Sequence, residues 1–486
     1  MNAPIVRLFI GVLVLFALLV GFTSNWAVFD ADELAAKSQN KRPLFEAQQI
    51  ERGKILTADG EVIAESKPKG KGDQLRYVRR YPLGSLFGNP VGYSFLTEGQ
   101  TGLEQTQQAV LTGEDNEFVS ILDQIRGRQQ EGSNVVTTLD SGAQQLAVDQ
   151  LDGQSAPGAI VAIEPDTGAV KAMVATSGYD PNTIPTDKQQ LLEGGQASGL
   201  FNRSIQGIYP PGSTFKVVTA AAALDSGAAD PDTTLDGSSP QTFSGVPLEN
   251  AGGEEFGDID MRTALTHSVN TYFAQLGEEV GTGTLLDYME RFGFEKDPEV
   301  QLPDDQMATS GVFNSNGKLV DEGFDVARVA IGQGGAEGQI LATPFQMAEV
   351  AAAIANGGKL MRPSLVQEVK DPDGRTTSRL DPDVQSDVVS EDTAAELTDM
   401  MTSVVDEGTA AALAGDLGGV TFAGKTGTAE KNLDERINQP WFIGFAPADD
   451  PQIAVAATIE QCTGCFGGEV AGPMATAMMN YFVNGG

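Results

Sequence analysis

Runs of apolar residues along the chain predict a membrane-length helix, a strand hairpin and a buried helix. Leu8 to Phe22 are uncharged and apolar, and flanking apolar positions extend this run to about 20 residues, the length of a bilayer-spanning helix. Residues 158–174 carry two apolar stretches around a Pro-Asp-Thr-Gly sequence, a pattern typical of a hairpin. Residues 216–224 are mostly apolar and predict a buried helix that ends near Gly227.

Two further segments predict strands. Residues 441–447 and 453–456 are rich in apolar and aromatic residues, so we expect a strand pair there. Residues 52–64 predict two short strands around an Ala-Asp-Gly turn.

The charges around the N-terminal apolar run predict its orientation in a membrane. Arg7 and the amino terminus lie before the run, and acidic residues from Asp30 to Glu33 follow it. Because positive charge stays on the cytoplasmic side, we expect the bulk of the chain outside the cytoplasm. A cleaved signal peptide is the alternative. We expect an uncleaved anchor over residues 1–29, since no small-x-small cleavage site follows the run and Trp26 suits a membrane interface.

The composition is that of a large acidic protein. The chain has 486 residues and a net charge of −36, with 67 acidic against 31 basic side chains. This length suffices for two domains with a sizeable core. Nucleic-acid binding requires a basic face, so the acidic balance argues against it, and we interpret the acidity as a solvated surface.

The cysteines, Cys462 and Cys465, form a Cys-Thr-Gly-Cys sequence. A thioredoxin-like redox motif would open a helix, and the glycines at Gly464 and Gly467 do not suit that helix. A zinc site needs more ligands than two cysteines and the distant His267. In an oxidising compartment we therefore prefer a disulfide that closes a short loop.

The strongest chemical pattern is a serine and a lysine three residues apart. Ser213 and Lys216 stand at the predicted start of the buried helix, after a Tyr-Pro-Pro-Gly sequence that does not continue a helix well. Residues i and i+3 share a helix face, so Lys216 can reach the Ser213 oxygen. A desolvated lysine can take the proton that a serine must lose to become a nucleophile. His267 is the only histidine, which nearly excludes the usual imidazole base.

Two more motifs accompany this pair. Ser268 and Asn270 form a Ser-x-Asn, and residues 425–427 form a Lys-Thr-Gly that Thr428 follows. Each motif alone arises often by chance, but the set is specific. In this order the motifs resemble those of the penicillin-binding protein and serine β-lactamase superfamily.

Segments around the motifs extend the resemblance over most of the chain. They include the hairpin at 158–174, a Gly-Gln-Gly at 332–334 and residues 343–348. The resemblance implies an α+β penicillin-binding transpeptidase fold over residues 151–486, with an antiparallel five-stranded sheet covered by helices.

Residues 30–150 are similar to the non-catalytic domain of class B penicillin-binding proteins, especially the short actinobacterial type. Segments 52–64, 102–105 and 135–140 carry this similarity. The stretch is too short for the glycosyltransferase domain of class A enzymes. The resemblance therefore implies a smaller pedestal, similar to a dimerisation domain, between the membrane anchor and the transpeptidase domain.

The resemblance also assigns catalytic roles. Ser213 would attack the carbonyl of the D-Ala-D-Ala bond in a peptidoglycan stem peptide, with neutral Lys216 as the base. Burial and the neighbouring cation of Lys425 would lower the pKa of Lys216. Ser268 would relay a proton to the leaving amine, and Asn270 would hold Lys216 and the substrate backbone.

The resemblance also implies that the segment around the Lys-Thr-Gly binds the substrate. Lys425, Thr426 and Thr428 would bind the terminal carboxylate of the substrate, and Gly427 belongs to the same substrate-binding set. The backbone N–H groups of Ser213 and Thr428 would hold the oxyanion. The amine of a second peptide would then take the acyl group. This chemistry requires no metal and no organic cofactor.

The implied partners are stem peptides, β-lactam antibiotics, the cytoplasmic membrane and other cell-wall or cell-division proteins. Three alternatives on the same fold stay open. The first is a β-lactamase or D,D-carboxypeptidase, the second a β-lactam-sensing binding module, and the third a division scaffold without catalysis. A single predicted membrane span opposes the sensor, and intact motifs oppose the scaffold.

Overall fold

A computed structural model describes residues 3–24, 49–71, 75–114, 130–335, 337–432 and 435–485. Trp26, the acidic segment that follows the apolar run and the boundary predicted at 29/30 lie outside the described residues. The α-helices of the described part are α1 (Ala3–Ser24), α2 (Gly88–Val91), α3 (Gly102–Thr106), α4 (Gln108–Thr112), α5 (Ser141–Asp152), α6 (Ile184–Glu193), α7 (Lys216–Ser226), α8 (Met261–Thr266), α9 (Asn270–Val280), α10 (Thr282–Arg291), α11 (Val326–Val329), α12 (Pro344–Ala355), α13 (Glu391–Asp406) and α14 (Gly467–Asn484).

The strands of the described part follow in chain order. They are β1 (Ile55–Leu56), β2 (Val62–Lys69), β3 (Arg76–Arg80), β4 (Ser94–Phe95), β5 (Gly99–Gln100), β6 (Asn134–Thr137), β7 (Gly158–Ile163), β8 (Val170–Ala175), β9 (Leu235–Asp236), β10 (Gln241–Phe243), β11 (Val246–Leu248), β12 (Asp258–Ile259), β13 (Gly311–Phe313), β14 (Gln339–Leu341), β15 (Lys359–Met361), β16 (Val366–Lys370), β17 (Thr376–Arg379), β18 (Val384–Asp387), β19 (Ala423–Asn432), β20 (Ile437–Ala446), β21 (Ile453–Ile459) and β22 (Cys462–Thr463).

The apolar run near the N-terminus forms helix α1, as predicted. Its apolar side chains are exposed, and the stretch from Pro4 to Ser24 is long and apolar enough to cross a membrane. This length and composition fit both a membrane anchor and a signal sequence.

An antiparallel sheet forms the core of the C-terminal part. Its strands run in the order β19, β20, β21, β7 and β8, which confirms the five-stranded sheet, and the two-residue strand β22 also pairs with β20. Strands β7 and β21 are buried along their whole length, which explains why both are continuous apolar runs. Helices α12, α13 and α14 pack against this sheet.

The predicted hairpin, strand pair and buried helix are confirmed. The hairpin is formed by β7 and β8, and the strand pair by β20 and β21. The buried helix is α7, which ends at Ser226 before a left-handed Gly227 with φ of 73°. The two strand pieces predicted within 52–64 are β1 and the start of β2, which pair antiparallel.

The N-terminal sheet includes strands that the sequence analysis placed in the other domain. Its order is β17, β16, β6, β1, β2 and β3. Strand β16 pairs antiparallel with β6, so that Val369 lies opposite Val135, and both side chains are buried. Residues 366–379 therefore complete the sheet of the N-terminal domain. Nothing in the local pattern of these short, largely polar strands indicates this pairing.

Helix α5 crosses the domain boundary predicted between residues 150 and 151. The amide of Gln144 bonds the backbone N–H and the carbonyl of Met173 on edge strand β8, both at 3.0 Å. Just before the helix, the carboxylate of Asp140 accepts a 2.8 Å hydrogen bond from the Tyr481 hydroxyl of α14. Helix α5 thus packs with the transpeptidase sheet.

Candidate active site

Ser213 lies in a single 3₁₀ turn, Gly212–Phe215, that leads into α7. Its side chain is partly exposed, whereas its neighbours on both sides are buried. Gly212 has a φ of 54°, and a Cβ there would lie 3.0 Å from the carbonyl carbon of Thr428. The turn therefore requires glycine both for its left-handed backbone and for its close approach to Thr428.

A second glycine holds this turn from the other side. The N–H of Gly212 donates to the carbonyl of Gly332 at 3.0 Å. Gly332 has a φ of 79°, and a Cβ there would lie only 1.8 Å from the Gly212 carbonyl oxygen. This contact explains why the first residue of the Gly-Gln-Gly at 332–334 is glycine: it packs against the turn Gly212–Phe215, called the nucleophile turn below because it carries the candidate nucleophile Ser213.

Lys216 is buried and holds the nucleophile turn next to the Ser-x-Asn segment. Its Nζ lies 2.7 Å from the Ser268 carbonyl oxygen, 2.7 Å from Asn270 Oδ1 and 3.3 Å from Ser268 Oγ. The Asn270 Nδ2 donates to the Glu249 carbonyl at 2.9 Å, which points the amide oxygen at Lys216. A neutral amine has two N–H donors, which the two oxygens at 2.7 Å satisfy, and one lone pair left for a proton.

Ser268 is one of the non-glycine residues with a left-handed backbone, at φ 60°. It follows α8, and the N–H of Val269 bonds back to the Ala264 carbonyl at 2.9 Å. A serine in this region costs on the order of 1–3 kcal/mol, and such strain concentrates at functional sites. Here the conformation turns both the carbonyl and the hydroxyl of Ser268 toward Lys216.

Lys425 comes from strand β19 and is fully buried. Its Nζ lies 2.9 Å from Ser268 Oγ and 3.0 Å from the Thr426 carbonyl oxygen. The amines of Lys425 and Lys216 therefore share one hydroxyl. The structure thus brings Lys216, Ser268, Asn270 and Lys425 into one contact network, from three segments far apart in sequence.

Burial sets the protonation of both lysines. Desolvation, with a further contribution from the nearby charge of Lys425, holds the pKa of Lys216 well below its usual value of 10.5. Burial alone lowers the pKa of Lys425 to about 7. The lowered pKa of Lys216 supports a neutral amine at that residue, with the positive charge on the neighbouring Lys425.

The three residues after Lys425 lie along the same strand. Thr428 Oγ1 accepts a 3.2 Å hydrogen bond from the N–H of Gly467, so its own proton is left for another acceptor. A Cβ on Gly427 would lie 2.8 Å from the Pro211 carbonyl, so glycine lets β19 pass close to the nucleophile turn. Thr426 Oγ1 lies 2.6 Å from Thr409 Oγ1.

Thr409 was not found by sequence reasoning. It lies in the turn after α13, in a Gly-Thr-Ala sequence whose composition is unremarkable for a loop. Its place beside Thr426 depends on how α13 packs against β19, a long-range contact that no spacing in the sequence indicates.

Cys462 and Cys465 are joined in a disulfide, with their Cα atoms 6.0 Å apart. The pair closes a loop that starts in β22, which pairs with β20. The Asn438 side chain donates to the Cys465 carbonyl at 2.9 Å. The loop is therefore fixed to the sheet at the start of β20 and leads directly into α14.

Comparisons with known proteins identify the family. The family model described as penicillin binding protein transpeptidase domain matches residues 158–480, and that described as penicillin binding protein A dimerisation domain matches residues 52–135. The chain is 38% identical to peptidoglycan D,D-transpeptidase PbpA of Mycolicibacterium smegmatis over 98% of both chains. It is 35% identical to the protein of that name from Mycobacterium tuberculosis over 100% of both.

Solved structures extend the similarity to three dimensions. The ceftriaxone acyl-enzyme complex of penicillin-binding protein A from M. tuberculosis superposes with a TM-score of 0.79 and 33% identity, over 90% of this chain and 99% of that one. With both domains matched and similarity over the full length, the chain belongs to the PbpA-type class B penicillin-binding proteins, a family of peptidoglycan D,D-transpeptidases.

Proposed function

We propose that this protein cross-links peptidoglycan stem peptides by passing an acyl group from a D-Ala-D-Ala peptide through Ser213 to an amine. The observation that carries the proposal is the shared hydroxyl of Ser268, which lies 3.3 Å from the Lys216 amine and 2.9 Å from the Lys425 amine. The contact joins the three motifs beside the turn that holds the nucleophile.

Acylation begins with the lone pair of neutral Lys216. That amine takes the proton of the Ser213 hydroxyl while Oγ bonds to the carbonyl carbon of the penultimate D-Ala. The developing oxyanion is held by the backbone N–H groups of Ser213 and Thr428. The close approach of Gly212 to Thr428 supports this pair of donors, because it brings the two backbone segments together.

Ser268 completes the proton transfer. Its hydroxyl passes a proton to the nitrogen of the leaving D-Ala as the C–N bond breaks, and it regains a proton from the Lys216 ammonium. The 3.3 Å distance between Lys216 Nζ and Ser268 Oγ supports this path. Asn270 keeps the Lys216 amine in place through its amide oxygen.

The terminal carboxylate of the donor peptide binds at the start of β19. Lys425 supplies the charge, while Thr426 and Thr428 supply hydroxyl donors. Thr428 is suited to this role because its oxygen already accepts from Gly467, which leaves its proton for the ligand. Gly427 keeps the strand close to the nucleophile turn.

The amine of a second peptide then attacks the acyl-enzyme, and the new amide bond is the cross-link. β-Lactams present a strained amide and a carboxylate with the same spacing, so we expect them to acylate Ser213 and to remain attached. The stem peptides and the β-lactams are thus two ligands of one site.

The test of function is the fate of the acyl group in detergent-solubilised full-length protein. With a D-Ala-D-Ala peptide and an added D-amino acid, mass spectrometry should find the transfer product, and Ser213→Ala should give none. If hydrolysed peptide alone forms, or a chromogenic cephalosporin turns over faster than about 1 per second, the low end of ordinary enzyme rates, the protein is a hydrolase.

The membrane placement and the domain limits are part of the same proposal. We place α1 as an uncleaved anchor with the rest of the chain outside the cytoplasm, supported by Arg7 near its start and by its apolar length. Intact-mass measurement of protein from membranes should find residues 1–29 present. A mature N-terminus beyond that segment would establish a cleaved signal.

The predicted limits of 30–150 and 151–486 change in two places. We place residues 30–140 in the N-terminal domain together with strands β16 and β17, because β16 pairs with β6. The rest of 141–486 is the transpeptidase domain, which includes α5 because this helix packs on β8. The N-terminal domain, which a dimerisation-domain model matches, is the proposed docking surface for other cell-wall or cell-division proteins.

A further inference from the structure

The turn after helix α13 packs against the segment that leads to Ser268. The N–H of Thr409 donates to the Thr266 carbonyl at 3.2 Å. A Cβ on the preceding Gly408 would lie 2.3 Å from that same carbonyl oxygen, so glycine permits the close approach. The backbone of Thr409 is therefore fixed two residues before Ser268, and its side chain takes no part in that attachment.

The Thr409 hydroxyl points instead to the Lys-Thr-Gly strand. Its Oγ1 lies 2.6 Å from Thr426 Oγ1, a hydrogen bond in which either hydroxyl can donate. Thr426 is nearly buried, with 7% of its surface exposed, whereas Thr409 is exposed. The hydroxyl of Thr409 thus extends that of Thr426 toward solvent at the end of the site where Lys425 supplies positive charge.

Proton counting indicates what the pair can bind. Each threonine hydroxyl has one proton, and the hydrogen bond between them uses one of the two. The other proton is left for a ligand acceptor, and the neighbouring Lys425 ammonium favours an anionic one. A carboxylate satisfies both conditions.

From this geometry we infer that Thr409 is a further substrate-binding residue, which with Thr426 forms a hydroxyl pair that binds the terminal carboxylate of the donor peptide or β-lactam. The inference rests on the proposed function. It adds to the carboxylate site a residue that belongs to none of the three motifs and that comes from a different part of the chain.

A ligand pair that differs only in the carboxylate tests this role. Penicillin G and its methyl ester would be compared on detergent-solubilised full-length protein, by following the dissociation constant of the initial complex and the rate of the acylation step. Thr409→Val removes the hydroxyl and keeps the shape. It should reduce the preference for the acid over the ester about tenfold, the scale of a hydrogen bond to a charged group, mainly through the dissociation constant.

Matched variants separate binding from structure. Thr409→Ser should restore the preference. Thr402→Val, which removes a hydroxyl of α13 that donates to the Thr398 carbonyl of the same helix at 2.8 Å, should leave it unchanged. If the hydroxyls act as a pair, Thr409→Val combined with Thr426→Val should lose less than the sum of the two single losses.

Two outcomes would overturn the inference. One is an unchanged preference for the acid in Thr409→Val, and the other is an equal loss for acid and ester, which would mark a merely structural hydroxyl. Either outcome can be measured only if penicillin G acylates the unmodified protein. Absence of any acylation in the unmodified protein would instead contradict the proposed function itself.

Discussion

The amine of Lys425 lies 2.9 Å from the hydroxyl oxygen of Ser268, and this one contact links strand β19, which we propose binds the substrate, to the residues that we propose transfer protons. The amine of Lys216 approaches the same oxygen from the other side. Two buried ammonium groups around one hydroxyl would repel each other strongly, because a low-dielectric site screens charge poorly. The resting site therefore carries at most one positive charge, which we place on Lys425.

Lys425→Ala should slow acylation by penicillin about 100-fold or more, the scale of a lost charge contact plus impaired base catalysis. Without the neighbouring cation, the pKa of Lys216 rises and the amine becomes a base only at higher pH. The acidic limb of the rate-against-pH profile should therefore move to higher pH. The exposed Lys318→Ala should change the rate less than about threefold, as surface charges do. An unmoved limb with an unchanged rate would contradict this role.

Asn270→Asp tests whether Lys216 must be neutral, by placing a negative charge next to its amine. The new carboxylate would lie where the amide oxygen now sits, 2.7 Å from the lysine amine. An anion favours the protonated amine, so the pKa of Lys216 rises and acylation at neutral pH falls about tenfold for each unit of that rise.

The control for Asn270→Asp is Asn356→Asp at the end of α12, whose side chain donates to the Lys359 carbonyl at 3.1 Å, far from the lysine amines in sequence. Its profile should match that of the unmodified protein. A normal profile in Asn270→Asp as well would show that Lys216 is not the base.

Gly212→Ala and Gly227→Ala separate backbone strain from active-site geometry. Both glycines have positive φ, so each alanine should cost on the order of 1 kcal/mol in stability. Only Gly212 lies against Thr428, whereas a Cβ on Gly227 meets open space. Gly212→Ala should therefore also lose about 100-fold in acylation rate, as expected when reacting groups shift by about 1 Å. Equal acylation by the two variants would rule out the Gly212–Thr428 contact as a determinant of the oxyanion site.

The disulfide between Cys462 and Cys465 should stabilise its loop without taking part in the chemistry. Replacing both residues by serine should lower the free energy of unfolding by about 2 kcal/mol or less, since the closed loop is short. Penicillin should still acylate the variant at a rate within about threefold of the unmodified protein, the range of a remote surface change. A variant with native circular dichroism and no acylation would place the disulfide loop in the active site.

The sequence predicted those elements whose formation depends on residues close together in the chain. Helix α7 could be predicted because its apolar residues, its preceding prolines and its final glycine all act within a few positions of each other. The hairpin of β7 and β8 followed in the same way from two apolar runs around a turn. The motif residues could be proposed from the sequence because their chemistry requires particular side chains at fixed spacing.

Long-range packing accounts for what the sequence could not reveal. The pairing of β16 with β6 joins segments more than two hundred residues apart, and short strands of mixed polarity give no register signal. Thr409 reaches Thr426 only because α13 packs on β19. The left-handed backbone of Ser268 is likewise set by its contacts, since serine has no intrinsic preference for that conformation.

We propose above all that Ser213 is the nucleophile of a β-lactam-sensitive acyl-transfer site. Intact-mass analysis of detergent-solubilised protein after incubation with penicillin G, followed by peptide mapping, tests it most directly. One penicillin should be bound to each chain, on the peptide that contains Ser213, and Ser213→Ala should carry none. Absence of an adduct on the unmodified protein, or its persistence in Ser213→Ala, would contradict the account.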